Sequence, residues 1–322
     1  MYWRTYVYSD KKISMFKLIF GCGLILSLFS ACEEKMTEDE IVSIGIAPCR
    51  KPASFIKGLQ FDPNRSAFST EVSQTKGIIL IQGPSSPSDT PLKRYQHPSW
   101  LAQGYMGSVT TDETGNAYTF PIPFVNTLDR NLATIHTIYK IDEQRGEMKL
   151  FTTLPKPDSV EGIVPFGLLG IYYDCHGQKL YASSVSGSTR DKENGKLFVL
   201  DKTDGRIIDQ YDGVDAMGLC VCGVTGEKRL YFGKARTPDI YSIELTKSGK
   251  FKGKPRPELT LDQLGPRGDD KARKIRFDKF GFMQVHGIEF NYSLAAQSNK
   301  PESIYRFLYN SMTGKWDFKE VH

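Results

Sequence analysis

The chain has 322 residues, of which 39% are hydrophobic and 25% charged, and it contains 16 Tyr, 19 Phe and 29 Gly. This composition is that of a globular protein and excludes an intrinsically disordered chain, which would carry fewer aromatic residues. The formal net charge of +5 is small for this length, so it argues against a dedicated nucleic-acid-binding protein, which has a dense basic patch.

The N-terminal segment has the features of an export signal. Lysines precede an apolar run of 14 residues from Leu18 to Ala31, which ends in small residues just before Cys32. A membrane-spanning helix needs about 20 apolar residues, whereas the core of a signal peptide needs about 7–15. We therefore predict a cleaved signal peptide, with an uncleaved anchor helix as the alternative.

The residues Phe29, Ser30, Ala31 and Cys32 resemble the cleavage site of bacterial lipoprotein leaders, although Phe29 stands where Leu is usual. The resemblance implies that Cys32 becomes the lipidated N-terminus and anchors the protein to the outer membrane of the cell envelope, on the periplasmic or the outer surface. We accordingly expect a signal peptide over residues 1–32, a tether over 33–42 and a single domain over 43–322.

Four cysteines remain beyond the leader: Cys49, Cys175, Cys220 and Cys222. Four are too few for a disulfide framework in a domain of this size, so one or two bridges of open pairing are expected. Cys220 and Cys222 lie two apart on a predicted strand and face the same side. A zinc site needs about four ligands, so we favour a packing role for this pair.

The body of the chain repeats one pattern, in which a Gly and an apolar strand are followed by a turn and a second strand that contains Tyr. The copies are Gly107–Phe120, Gly170–Ser183, Gly218–Gly233 and, more weakly, Lys274–Val285. A second hairpin follows each copy, and its first strand alternates with a period of two: Ile138–Asp142, Leu197–Asp201, Ile240–Glu244 and Ile304–Leu308. The repeat unit is therefore two hairpins, or four strands, in about 50 residues.

This unit is typical of a β-propeller blade, and it predicts an all-β fold. Dividing the roughly 290 residues after the leader by about 48 per repeat predicts six blades, with seven as the alternative count. A β-sandwich would also contain short strands but would not repeat the same four-strand unit. We expect no helix of note beyond the leader, and we expect residues 247–274 to form an exposed connection between blades.

The segments Lys140–Pro155 and Pro165–Ser184 resemble blades of the gluconolactonase and regucalcin superfamily and of streptogramin-lyase-like and strictosidine-synthase-like propellers. The resemblance to the lactonases of this superfamily implies a divalent cation such as Ca²⁺ on the central axis. Phe166 and Ser184 replace two of the expected ligands, and Asp215 alone falls near a ligand position. A divalent ion needs several converging oxygens, so we predict no metal and no other cofactor.

Loops at one end of the predicted propeller are long and polar, and binding residues are commonly found on such loops. The candidate ligand-binding residues are Tyr105, Arg130, Phe166, Arg190, Asp191 and Arg236. Arginines from equivalent loops would converge on one face, with Asp215 or His286 beneath them, and their planar guanidinium groups suit carboxylate or phosphate oxygens. The predicted function is a binding module for a small anionic molecule, a glycan or a partner protein.

The alternative function is an enzyme of the lactonase, hydrolase or lyase kind. Its candidate catalytic residues are Asp215 and His286, since a His near the axis can act as a general base. Stoichiometric metal in the purified protein would favour this alternative. Contact with the membrane is expected through the lipid anchor alone, and no nucleic-acid partner is expected.

The lipoprotein prediction can be tested by replacing the acylated residue. We expect Cys32→Ser to release the protein from the membrane fraction or to stall its maturation, because the thiol that receives the lipid is gone. Fractionation and immunoblotting measure the outcome. A variant that stays as firmly bound to membranes as the parent would favour the anchor helix instead.

Overall fold

The computed structural model describes residues 50–70, 76–84, 93–123, 133–157, 165–292 and 301–322. The predicted leader with Cys32, the tether over 33–42 and Arg130 lie outside these residues. Two short helices precede most of the strands, α1 (Ser54–Gly58) and α2 (Pro98–Leu101), and the sequence analysis expected neither. Helix α2 begins with Pro98, and the ring of His97 accepts a hydrogen bond from the Ser99 amide at 3.2 Å.

The described residues form five antiparallel sheets, and within each sheet the strands follow one another in chain order. The first sheet has three strands, β1 (Ser66–Ser69), β2 (Ile79–Gln82) and β3 (Lys93–Tyr95). The second sheet has four, β4 (Thr110–Thr111), β5 (Ala117–Thr119), β6 (Thr137–Ile141) and β7 (Met148–Thr153). The third has β8 (Leu168–Asp174), β9 (Lys179–Ser184), β10 (Lys196–Asp201) and β11 (Ile207–Asp212).

The fourth sheet consists of β12 (Ala216–Cys222), β13 (Arg229–Lys234), β14 (Asp239–Leu245) and β15 (Phe251–Thr260). The fifth consists of β16 (Lys271–Phe277), β17 (Phe282–Ile288), β18 (Ser303–Asn310) and β19 (Lys315–Val321). Four-stranded antiparallel blades, and hence the all-β propeller class, are confirmed. All four copies of the predicted inner hairpin fall on the first two strands of a four-stranded sheet.

The predicted count of six blades is wrong, because the described residues make five. The error comes from dividing the chain by a mean repeat length. Residues 50–105 form one three-stranded sheet and two short helices, and the repeat is longest between the second and third sheets, where Tyr118 and Tyr181 are 63 residues apart. Residues that connect strands were thereby counted as part of a sixth blade.

The predicted exposed connection over residues 247–274 is also wrong, since it contains the ten residues of β15 and the first residues of β16. Strand β15 pairs with β14 alone and is the outer edge of its sheet. Its Pro255 and Pro257 are compatible with that place because an edge strand leaves one row of backbone amides unpaired. The abundance of Pro and charge that argued for a loop is therefore the composition of an edge strand.

Hydrophobic clusters fill the spaces between successive sheets. Trp100 is fully buried between the first and second sheets, where its indole lies edge-on to Tyr95 with ring centroids 5.6 Å apart. Its Nε1 donates to the carbonyl of Gly146 at 2.7 Å. This tryptophan therefore packs the core and is not exposed for stacking on a ligand.

The innermost strands of neighbouring sheets approach each other at glycines. A Cβ atom on Gly170 of β8 would lie 2.4 Å from the carbonyl oxygen of Met217 in β12. A Cβ on Gly218 of β12 would lie 2.6 Å from the backbone of Arg273 in β16. Both distances are shorter than a carbon atom can tolerate, so the Gly that opens these copies of the repeat is required by packing between sheets.

Replacing one of these glycines tests that constraint. We expect Gly218→Ala to lower the free energy of unfolding by about 1–3 kcal/mol, because the added methyl group meets backbone atoms that cannot rotate away. Gly58→Ala is the matched control, since nothing lies within 4 Å of its Cβ position. Urea unfolding followed by circular dichroism measures both variants. Equal stability of the two variants would contradict the packing argument.

Candidate ligand-binding site

Residues from the third, fourth and fifth sheets meet where the loops lead into the innermost strands. Val185, Met217 and Ala235 are buried there. Five partly buried apolar residues pack against them: Phe166, Leu169, Ile288, Phe290 and Tyr292. We call these eight residues the mouth. Because they come from three sheets and are far apart in the chain, the propeller fold alone brings them together.

The mouth contains three aromatic rings in contact. The ring centroids of Phe166 and Phe290 are 5.3 Å apart, those of Phe290 and Tyr292 are 5.1 Å apart, and each pair meets edge to face. The guanidinium carbon of Arg236 lies 4.9 Å from the centroid of the Tyr292 ring. These edge-to-face contacts fix the rings against one another while leaving part of their surface open to solvent.

Asp215 lies beneath this cluster and is fully buried. Its Oδ1 accepts hydrogen bonds from the Ser188 hydroxyl and the Gly195 amide, the latter at 2.9 Å. Its Oδ2 accepts from Arg236 Nε at 2.8 Å and from the Tyr292 hydroxyl at 2.7 Å. Both carboxylate oxygens are therefore engaged in holding loops of three sheets together.

Burial and the negative charge of Asp215 raise the pKa of the Tyr292 hydroxyl. The phenol therefore stays protonated and remains a hydrogen-bond donor to Asp215 throughout the neutral range. This bond fixes the chain just beyond Phe290.

Arg236 is bound on several sides. Besides Asp215, its guanidinium donates to the carbonyl oxygens of Arg190 at 2.8 Å, Thr189 at 2.7 Å and Lys192 at 3.0 Å. Arg236 thus clamps the loop that carries Arg190, and few of its donors remain for a ligand.

The other predicted binding residues are spread more widely. The side chains of Arg190 and Asp191 are exposed, and Phe166 belongs to the mouth. Tyr105 lies five residues before β4, in an isolated bridge with Gly77, and its carbonyl accepts from the Ile122 amide at 2.9 Å. The structure thus brings Arg236, Asp215, Phe166 and the Arg190 backbone together, whereas Tyr105 lies outside the mouth.

His286 lies on β17, and its Nδ1 is 2.9 Å from the Glu302 carboxylate. Burial and the positive charges of Lys274, Arg276 and Arg273 lower its pKa to about 4. Glu302 opposes this shift, but it also pairs with Arg273. His286 is therefore neutral at pH 7, and it shares no hydrogen bond with Asp215.

Among the residues that the structure describes, no three or more His, Cys, Asp or Glu side chains are grouped so that they could hold a metal ion. Cys220 and Cys222 are buried and free, and burial raises the pKa of the Cys220 thiol to about 11. Cys175 is disulfide-bonded, whereas Cys49 lies outside the described residues. Within the described ranges, no helix is long and apolar enough to cross a membrane.

Of the three aromatic residues of the mouth, sequence reasoning named Phe166 but missed Phe290 and Tyr292. Both follow strand β17 in the segment GIEFNY, at the end of an inner hairpin. Two aromatic residues at the end of a hairpin, on the face that carries the long loops, are a pattern that could have predicted them as binding residues. Their contact with Phe166, more than 120 residues earlier in the chain, could not have been inferred from local pattern.

No family model matches the chain, and no curated protein sequence matches it. Among solved structures, the chain is similar to one from a nidogen/laminin complex, with 14% identity, a TM-score of 0.44 and coverage of 79% of this chain and 91% of that one. A glucose dehydrogenase has 12% identity and a TM-score of 0.42, with coverage of 74% of this chain and 77% of that one.

An endo-arabinase from Bacteroides thetaiotaomicron VPI-5482 has 14% identity and a TM-score of 0.38, with coverage of 65% of this chain and 77% of that one. We draw no conclusion about activity from these low similarities.

The contacts of Asp215 predict a structural role for its carboxylate. We expect Asp215→Asn to lower the free energy of unfolding by about 2–4 kcal/mol, because it leaves Arg236 without its charged partner and places an amide NH₂ against other donors. Asp191→Asn is the control, since Asp191 is exposed on the adjacent loop. Urea unfolding at pH 7 measures both, and an Asp215→Asn protein as stable as the control would contradict this role.

Proposed function

We propose that the protein is a binding module whose mouth takes a small molecule or glycan that presents a flat apolar face. The contact among Phe166, Phe290 and Tyr292 is the observation that carries the proposal. Partly open aromatic faces stack well on the apolar side of a sugar or other ring, and their few rotatable bonds limit the entropy lost on binding.

The rigidity of the mouth supports this role. The Tyr292 hydroxyl and Arg236 are both fixed to the buried Asp215, and Arg236 in turn fixes the loop at Arg190. A site held in its binding conformation before the ligand arrives gives up less freedom on association. The hydrogen bonds beneath the mouth therefore favour recognition over a loop-closing mechanism.

An acidic group on the ligand would interact with exposed Arg190 rather than with Arg236. The guanidinium of Arg236 is occupied by Asp215 and by three backbone carbonyls, so an incoming anion would have to displace existing bonds. We propose Arg190 as the cation at the rim and Arg236 as the residue that positions its loop.

A hydrolytic role is the second candidate, and the contact between His286 and Glu302 favours it. A carboxylate at Nδ1 orients an imidazole so that Nε2 can accept a proton from a water molecule. Asp215 fits this chemistry less well, since both of its oxygens already accept hydrogen bonds. Product formation from a lactone or glycan during the binding experiment would favour this candidate.

We further propose that a lipid on Cys32 holds the protein at the cell envelope, where the mouth would meet extracellular or periplasmic glycans or a partner protein. The support for this location is the leader sequence described above.

Binding to an array of neutral and acidic glycans tests the proposed function, with the purified full-length chain in mild detergent. We expect Phe290→Ala to weaken binding to the recognised glycan at least tenfold, because it removes the ring that contacts both other aromatics. Phe318→Ala is the control, since Phe318 is 41% exposed on the outer strand β19. Absence of binding to every glycan, or equal binding by both variants, would contradict the proposal.

A further inference from the structure

The innermost strand of the fifth sheet departs from the packing rule of its neighbours. Gly170 and Gly218 each lie against the innermost strand of the next sheet. A Cβ atom on Gly170 would meet the backbone of Met217, the residue just before Gly218. A Cβ atom on Gly218 would likewise meet the backbone of Arg273 and Lys274. Lys274 therefore occupies, in the fifth sheet, the position that glycine occupies in the third and fourth sheets. A long charged side chain there keeps any further strand from approaching as closely.

Two cations of β16 lie on the face of the fifth sheet that points away from the fourth. Ile275 packs against the fourth sheet, and side chains alternate along a strand, so Lys274 and Arg276 lie on the other face. Across the sheet they pair with His286 and Gln284 of β17. Three of these four side chains, those of Lys274, Arg276 and His286, therefore carry a basic nitrogen.

Arg50, which precedes helix α1, approaches the same place. Its guanidinium carbon lies 5.2 Å from the centroid of the Tyr172 ring on β8, the innermost strand of the third sheet. It is also close enough to Lys274 and Arg276 to repel both electrostatically. Arg50 thus adds its positive charge, from a distant part of the chain, to that of Lys274 and Arg276.

Among the described residues, the ion pairs around this cluster are few. Arg273 and His286 share the single carboxylate of Glu302. Within the described part of the chain, no carboxylate forms an ion pair with Arg50, Lys274 or Arg276. Burial together with the positive charges of Arg276, Arg273 and Arg50 lowers the pKa of Lys274 to about 8.

We propose that Arg50, Lys274 and Arg276 form a binding site for a small oxyanion carrying two negative charges, the chemistry shared by sulfate, phosphate esters and dicarboxylates. Guanidinium and ammonium groups that lie together and form no ion pair with a described carboxylate are arranged to donate to such a group. The site is separate from the mouth and does not require the function proposed for it.

The groups around Lys274 couple anion binding to the uptake of a proton by its amine. These are Arg273 and Arg276 on its own strand, His286 across on β17 and Arg50, with Glu302, Tyr172 and Cys220 nearby. A bound dianion favours the charged ammonium and raises the pKa of Lys274 above about 8. Binding therefore takes up a proton at alkaline pH, and affinity falls as the pH rises through about 8.

Sulfate is the probe, because it stays divalent over the whole range tested. Calorimetric titration of the full-length chain at constant ionic strength, set with sodium chloride, measures its affinity. We expect Lys274→Met and Arg276→Gln each to weaken sulfate binding at least fivefold at pH 7. Lys254→Met is the control, since it removes an exposed lysine on the edge strand β15.

The pH series gives a second, independent measurement. Raising the pH from 7 to 9.5 should weaken sulfate binding to the parent severalfold but should change the Lys274→Met variant much less. Labelling with acetic anhydride at pH 8 should modify Lys274 ahead of exposed lysines, and sulfate should protect it. Phe290→Ala should retain sulfate binding, which separates failure of this site from failure of the mouth.

Folding of the variants is checked by thermal unfolding. Lys274→Met should be at least as stable as the parent without sulfate, since it removes repulsion among like charges. Sulfate affinity that is unchanged in both charge-removing variants, or reduced equally by Lys254→Met, would overturn the proposal. Affinity independent of pH between 7 and 9.5 would overturn the role of Lys274.

Discussion

The close approach of neighbouring innermost strands is the constraint on which the rest of this propeller depends. At Gly170 and Gly218 the backbone of one sheet lies where any side chain would collide with the backbone of the next. This contact sets the spacing of the sheets, and the apolar clusters between them fill the wedge that the spacing leaves. It also explains why the copies of the repeat at Gly170 and Gly218 open with glycine, since in both the glycine is a packing requirement between blades.

That spacing determines the mouth. Because the sheets are held close at the axis, the loops leading into them are crowded together, and a carboxylate buried among them can bind several at once. Asp215 does so through the Ser188 hydroxyl, the Gly195 amide, Arg236 and the Tyr292 hydroxyl. A buried charge is tolerable only when it is fully hydrogen-bonded, and here the same bonds that stabilise the carboxylate fix the aromatic surface above it.

In the fifth sheet, the innermost strand has no glycine at the position of this close approach. With Lys274 in the place of a glycine, the innermost strand carries a long charged side chain on the face that points away from the fourth sheet. Arg276 two residues later faces the same way, and Arg50 approaches from the start of the described chain. Burial, together with repulsion from the neighbouring cations, lowers the pKa of Lys274.

The sequence by itself determined the repeat unit of four strands, the all-β propeller class and the inner hairpins, since each depends on alternation and turn residues within about 50 positions. It placed Phe166, Asp215 and Arg236 in neighbouring loops for the same reason. Only the tertiary structure decided the number of blades, because connections of unequal length are invisible to a mean repeat. It alone showed that Arg236 is bound to Asp215, that Phe290 and Tyr292 meet Phe166, and that Arg50 interacts electrostatically with Lys274. Such contacts join residues up to more than 200 positions apart, and no local pattern encodes a distance of that kind.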